Sequence, residues 1–122
     1  MTEPKLKPAR FIGSSREDLR RFPEDVRTEF GYAIFVAQAG GKAPKAKPLK
    51  GIVQGAGVLE IVEDFDGNTY RVVYTVKLAD AVYVLHAFQK KSKQGIKTPK
   101  HEIDLIRARF AEAQALHEGR KK

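Results

Sequence analysis

Residues 67–99, GNTYRVVYTVKLADAVYVLHAFQKKSKQGIKTP, constrain the fold more than any other stretch of this chain. Tyr70, Val72, Tyr74 and Val76 alternate with Arg71, Val73, Thr75 and Lys77. A period of two is that of a strand, so Arg71 points to the face opposite the two tyrosines. Ala79-Asp80 reads as a short turn. Residues 81–88 (AVYVLHAF) are nearly all apolar, which suits a central strand covered on both faces. The composition then changes abruptly: residues 89–97 (QKKSKQGIK) hold four lysines and no acid. Two strands therefore feed a basic loop, and Thr98-Pro99 opens a helix, with Thr98 as N-cap and Pro99 as its first residue.

The rest of the chain arranges itself around that unit. Residues 1–8 read as a loose polar tail, and residues 9–13 (ARFIG) as a short edge strand or an extended lead-in. Ser14 and Glu17 have capping-box spacing ahead of a short helix to about Arg21. Pro23 fits the first turn of a second helix, in which Phe22, Val26, Phe30 and Ile34 recur every four residues. Gly40-Gly41 ends it. Residues 41–57 (GKAPKAKPLKGIVQGAG) read as a long Gly-, Pro- and Lys-rich loop. Residues 58–65 form the next strand, and Asp66-Gly67-Asn68 the turn out of it. Ile103, Ile106, Phe110 and Ala113 lie on one face of the last helix, and residues 119–122 are a loose basic end. The expected fold is α+β: a small antiparallel sheet of three or four strands, two N-terminal helices and one C-terminal helix, in a single domain spanning residues 1–122. Short connections make the last three strands an antiparallel meander. Helices from both ends are expected on one face, leaving the face of Arg71 open.

Composition narrows the partners. There are 23 Lys+Arg against 15 Asp+Glu, a formal charge of +8, which favours an anionic partner and nucleic acid first. Cysteine is absent, so disulfides and thiolate-bound metals are excluded and a cytoplasmic location is allowed. No apolar run reaches the ~20 residues of a membrane span. No His or acid spacing suits a metal, and GIVQGAG is not a phosphate-binding fingerprint, so no metal and no cofactor are expected.

The YRVVY strand, the YVLHAF strand, the KKS triplet and the TP-x-x-E-I segment, in that order, resemble the RelE/HigB toxins of bacterial toxin–antitoxin pairs, and in particular their phage-derived subgroup. The resemblance covers residues 10–110. It implies a metal-independent endoribonuclease that cleaves messenger RNA at the ribosome, with a helix-turn-helix antitoxin as its partner. It places Arg71 as the stabiliser of the phosphate, which a guanidinium can grip through two oxygens. Spacing alone favours the other reading, a sheet residue paired with Glu60 or Asp64, and the family resemblance reverses that preference. Lys90 and Lys91 fall where the family keeps basic residues beyond the last strand, to neutralise phosphate or to donate a proton. Glu60 is the carboxylate for the 2′-OH proton, or else the structural partner of Arg71. Lys47, Lys50, Lys93, Lys97 and His101 are candidate contacts to the RNA backbone. His86, by strand parity on the face of Val84 and Phe88, reads as a packed core histidine, and His117 is assigned nothing. Where well-known members carry lysines on the preceding strand, this chain has Glu60 and Val62. The same fold also hosts ParE-type gyrase inhibitors, so the alternatives are gyrase inhibition or inert binding.

Overall fold

The computed structural model describes residues 5–52, 57–91 and 98–120. They form β1 (Ala9–Phe11), α1 (Ser15–Arg20), α2 (Glu24–Gln38), β2 (Lys47–Pro48), β3 (Val58–Phe65), β4 (Asn68–Thr75), β5 (Val82–Lys91) and α3 (Lys100–Arg120). The α+β class is as expected, but the sheet has five strands, in the order β1-β5-β4-β3-β2, and is mixed. β3, β4 and β5 make the antiparallel meander that their short connections require. Asp66 and Gly67 turn β3 into β4 with positive φ at both positions, 51° and 78°, which matches the twist of a tight hairpin.

The two additional strands lie at the edges. β1 pairs in parallel with β5, Ala9 opposite Val82, and the intervening helices and hairpin provide the long crossover that parallel pairing needs. β2 is a two-residue strand inside the expected loop, with Lys47 opposite Glu60. Pro48 is tolerated there because an edge strand need not donate on its outer side.

Both faces of the sheet are covered, which corrects the expectation of one open face. On one side Phe22, Val26, Phe30, Ile34 and Ala37 meet Ile61, Tyr70, Val72, Tyr74 and Val84. On the other, Ile106, Phe110 and Ala113 of α3 meet Val58, Val73, Tyr83, Leu85 and Phe88. The cause lies in β5, whose residues 81–88 are all buried; such a strand has an apolar set on each side, and each set needs a cover. Full burial of each large apolar side chain contributes ~1.5–3 kcal/mol, so the uncovered alternative is strongly disfavoured.

A bulge shifts the register of β5. Val73 faces His86, but Tyr74 faces Val84, so Leu85 is the extra residue. Val84 therefore joins the α2 side, while Leu85, His86 and Phe88 lie on the α3 side. Unbroken alternation, which put His86 with Val84, fails at this point.

Three helix starts also differ from expectation. Ser14 is the N-cap of α1, as expected, but the capping box does not form: its hydroxyl donates to the Asp18 carboxylate at 2.8 Å and caps no backbone N–H. Pro23 precedes α2, with φ −56° and ψ 151°, and is not in its first turn. α3 starts at Lys100, and the Thr98 hydroxyl bonds to Arg71. At the N-terminus, the Lys7 N–H donates to the Gln38 carbonyl at 2.9 Å and its carbonyl accepts from Gln38 Nε2 at 2.8 Å.

Candidate functional site

The sheet brings Arg71, Glu60 and Lys47 together. Arg71 stands opposite Val62 on β3, so Glu60 lies one position diagonal to it on the same face. Its Nη1 donates to Glu60 Oε2 at 3.1 Å and to Thr98 Oγ1 at 3.1 Å. Arg71 is only 4% exposed, and Glu60 is half-buried. β2 places the exposed Lys47 in register with Glu60, with exposed Lys50 in the following turn. The group is thus an arginine and a carboxylate held as a pair, under the residue that leads into α3 and beside a lysine-bearing edge.

The other candidates lie further off or outside the described residues. Lys90 and Lys91 end β5, their backbones opposite Thr69 and Asn68. Arg71 itself stands opposite Phe88, two residues before Lys90 on the same strand. Lys93 and Lys97 lie outside the described residues. His101 is exposed in the first turn of α3, its Nε2 3.9 Å from Glu102 Oε2.

A second polar cluster was not legible as such. His86 is buried, with its Nε2 2.8 Å from Glu102 Oε1 and its Nδ1 3.2 Å from Arg109 Nη1. A guanidinium can only donate, so Nδ1 accepts and the His86 proton sits on Nε2, facing Glu102. Burial pushes His86 below the ordinary histidine value; Glu102 pulls it back, and Arg109 lowers it further. Its ring stacks on Phe88, centroids 4.7 Å apart. Arg109 also donates to the Leu85 carbonyl at 3.0 Å and to the Ser14 hydroxyl at 3.1 Å, joining α3, β5 and the start of α1. His86 is therefore a core histidine, as its apolar neighbours implied, but one with two polar partners.

A third cluster pins the far end of α3. His117 Nδ1 lies 2.7 Å from Asp80 Oδ1, and the Tyr83 hydroxyl donates to Asp80 Oδ2 at 2.9 Å. Burial works against the Asp80 charge, but the bonds from His117 and Tyr83 outweigh it and hold the carboxyl below its usual range. Among the described residues, no group of three or more His, Asp or Glu is placed to hold a metal ion, and no helix is long and apolar enough to cross a membrane.

Sequence comparison gives this architecture a family. A model described as phage-derived protein Gp49-like (DUF891) matches residues 17–111, a span that includes every candidate named above from Lys47 to His101. The chain belongs to this phage-derived Gp49-like family, the level at which the ordered strand and loop motifs had placed it. No curated protein matches the chain. Three chains of solved structures match it. One belongs to the crystal structure of the toxin–antitoxin complex RelBE2 from Mycobacterium tuberculosis, with 19% identity and a TM-score of 0.47, covering 75% of this chain and 100% of that one.

Proposed function

We propose that this protein is the toxin of a toxin–antitoxin pair and that it cuts messenger RNA at the ribosome without a metal. The observation that carries this reading is the Arg71–Glu60 pair, 3.1 Å apart on the sheet face beside β2 and its Lys47. Cleavage through the ribose requires a base for the 2′-OH, a cation for the crowded phosphorane and an acid for the leaving 5′-oxygen. In this reading Glu60 takes the 2′-OH proton and the 2′-oxygen attacks the adjacent phosphorus. Arg71 holds the non-bridging oxygens, which displace the Thr98 hydroxyl from its guanidinium. Lys90 or Lys91 gives its proton to the departing 5′-oxygen. The products are a 2′,3′-cyclic phosphate and a 5′-hydroxyl, with no oxidant or metal consumed. Lys47, Lys50, Lys93, Lys97 and His101 contact the flanking phosphates.

One observation favours a second reading. Arg71 is almost fully buried and already engaged by Glu60 and Thr98, as a purely structural pair would be. The chain would then act by binding, as a gyrase-type inhibitor or an inert binder. Purified protein incubated with RNA in EDTA separates the two. The nuclease reading expects new 5′-hydroxyl ends and cyclic phosphates, lost in Arg71→Ala and only partly recovered in Arg71→Lys. The second reading expects intact RNA, and a supercoiling assay on purified gyrase then separates the inhibitor from the inert binder.

A further inference from the structure

The outer face of α2 is unlike the rest of this basic surface. Residues 30–41 carry no charged side chain, in a chain whose net charge is +8. Within them Tyr32 and Phe35 point to solvent, 58% and 50% exposed. Gly31 sits beside them in mid-helix. A Cβ added there would meet nothing within 4 Å, and its φ is not among the positive ones, so nothing inside the described chain requires a glycine. Glycine at such a position costs helix stability relative to alanine. What it offers is a bare strip of backbone between aromatic side chains, open to close approach from outside.

The surroundings indicate what approaches. Next to Tyr32 is a pocket of about 170 Å³, lined by Ala33, Ala43, Pro44 and Ile61 with Glu29 and Lys45 at its rim. A cavity of ~150 Å³ holds a benzene ring, so this one accepts one apolar anchor side chain. Beside it, Asp25 and Glu29 of α2 meet Glu63 and Asp64 of β3 along a cleft with no basic residue in its lining; Lys45, at the rim of the first pocket, pairs with Glu63, which leaves Asp25, Glu29 and Asp64 as the acids in excess. This acidic island repels RNA and anionic lipid. It suits a protein segment that is apolar along one side and basic at one edge.

We propose that this face is the docking site for a helix of the antitoxin. Its apolar side lies over Tyr32 and Phe35, its backbone crosses α2 at Gly31, one side chain fills the pocket, and its Lys or Arg residues meet Asp25, Glu29 and Asp64, Glu63 being held by Lys45. The assignment rests on the toxin–antitoxin reading and adds the surface and the chemistry of the contact. α2 covers the sheet face opposite Arg71 and Glu60, so an antitoxin seated here leaves that pair uncovered and the docking face can be altered without touching it.

The test uses the full chain and the purified helix-turn-helix protein encoded by the adjoining reading frame, with affinity read by titration calorimetry. The double variant Tyr32→Glu/Phe35→Glu should weaken binding by at least ~30-fold, the size of a hot-spot loss. Gly31→Leu should weaken it by ~10-fold or more while the free chain melts at the same or a higher temperature, a combination that misfolding cannot produce. Asp25→Lys/Glu29→Lys should slow association and flatten its salt dependence. Binding of the double variant within threefold of wild type would overturn the proposal, as would a wild-type chain that does not bind the antitoxin. So would a chain that self-associates at micromolar concentration through Tyr32 and Phe35. RNA cleavage by the same preparations reports separately on the nuclease reading: retained cleavage without antitoxin binding removes only the docking proposal, and absent cleavage with antitoxin binding removes only the nuclease.

Discussion

The two faces of the sheet are held by different means. Toward α1 and α2 the interior is apolar and aromatic: Phe22 stands edge-on to Phe30, with centroids 6.1 Å apart, and 4.9 Å from Tyr70. Toward α3 three polar clusters interrupt the apolar contacts, centred on Arg71, His86 and Asp80. Apolar packing is nondirectional and tolerates exchange of similar volumes. Paired charges are directional, cost desolvation, and fail badly when one partner is removed. The α2 side is therefore held by apolar burial alone, and the α3 side, which has an apolar cluster of its own, also fixes the positions of groups that can do chemistry.

The contrast can be broken first where it is largest. Phe30 is fully buried, so Phe30→Ala should cost ~3–5 kcal/mol by urea unfolding, enough to unfold a marginal domain. Arg71→Ala on the other side leaves Glu60 half-buried without its cation and should cost about 3 kcal/mol. In the nuclease reading it also lowers cleavage by ~10²–10³. Replacing both partners, Arg71→Met with Glu60→Leu, should bring stability back to within about 1 kcal/mol of wild type while cleavage stays lost. If Arg71→Ala unfolds at the wild-type urea concentration, the α3 side is not held by its charges and the contrast fails.

Much of this was legible in the sequence, and the omissions have physical causes. The 58–65 and 68–75 strands, their Asp66-Gly67 turn and the Phe22–Ile34 stripe follow from periodicity, a local property. The parallel pairing of β1 with β5 is nonlocal, because nothing in residues 9–13 names its partner. The side taken by α3 was implied by the two-sided burial of residues 81–88, a signal recognised for the strand but not followed to the helix. The bulge at Leu85 could not be read, because one extra residue leaves the apolar pattern of AVYVLHAF unchanged. At the candidate site, Glu60 as a partner of Arg71 was legible from hairpin spacing. Thr98 was not, because a threonine before a helix reads first as its cap.

The His86 cluster sharpens the contrast through pH. Burial holds His86 below its ordinary value of 6.5, with Glu102 opposing and Arg109 assisting. A histidine depressed in the folded state takes up its proton more readily when unfolded. Its contribution to stability is therefore complete above pH 6.5 and is lost as pH falls through that value toward the lower, folded one. Melting temperature should fall between pH 7.5 and pH 5, and His86→Gln, which can still donate to Glu102, should flatten that fall. Carboxylates held below their usual range, Asp80 among them, contribute their own acid loss, so the comparison is between the two slopes. Equal slopes would assign the pH dependence to those acids.

The smallest effect compares one substitution, Gly→Ala, on the two sides. Gly13 joins β1 to α1 with φ +58°, and a Cβ there would lie 2.8 Å from Arg109 Nε. That guanidinium cannot retreat cheaply, because it is fixed to Leu85, His86 and Ser14. A non-glycine residue in this left-handed region itself costs ~1–2 kcal/mol, so Gly13→Ala should destabilise by at least that amount. Gly31 lies in α2 with no atom within 4 Å of an added Cβ and no such φ, so Gly31→Ala should stabilise the free chain by up to ~1 kcal/mol. The opposite signs follow from the contrast between the faces: on the α3 side a methyl group disturbs a polar network, and on the outer face of α2 it enters open space. Urea midpoints for the two variants decide the matter. A destabilised Gly31→Ala would mean that α2 bends or packs at that point in a way its helical geometry does not include, and an unaffected Gly13→Ala would mean that Arg109 is not the fixed hub its three hydrogen bonds describe.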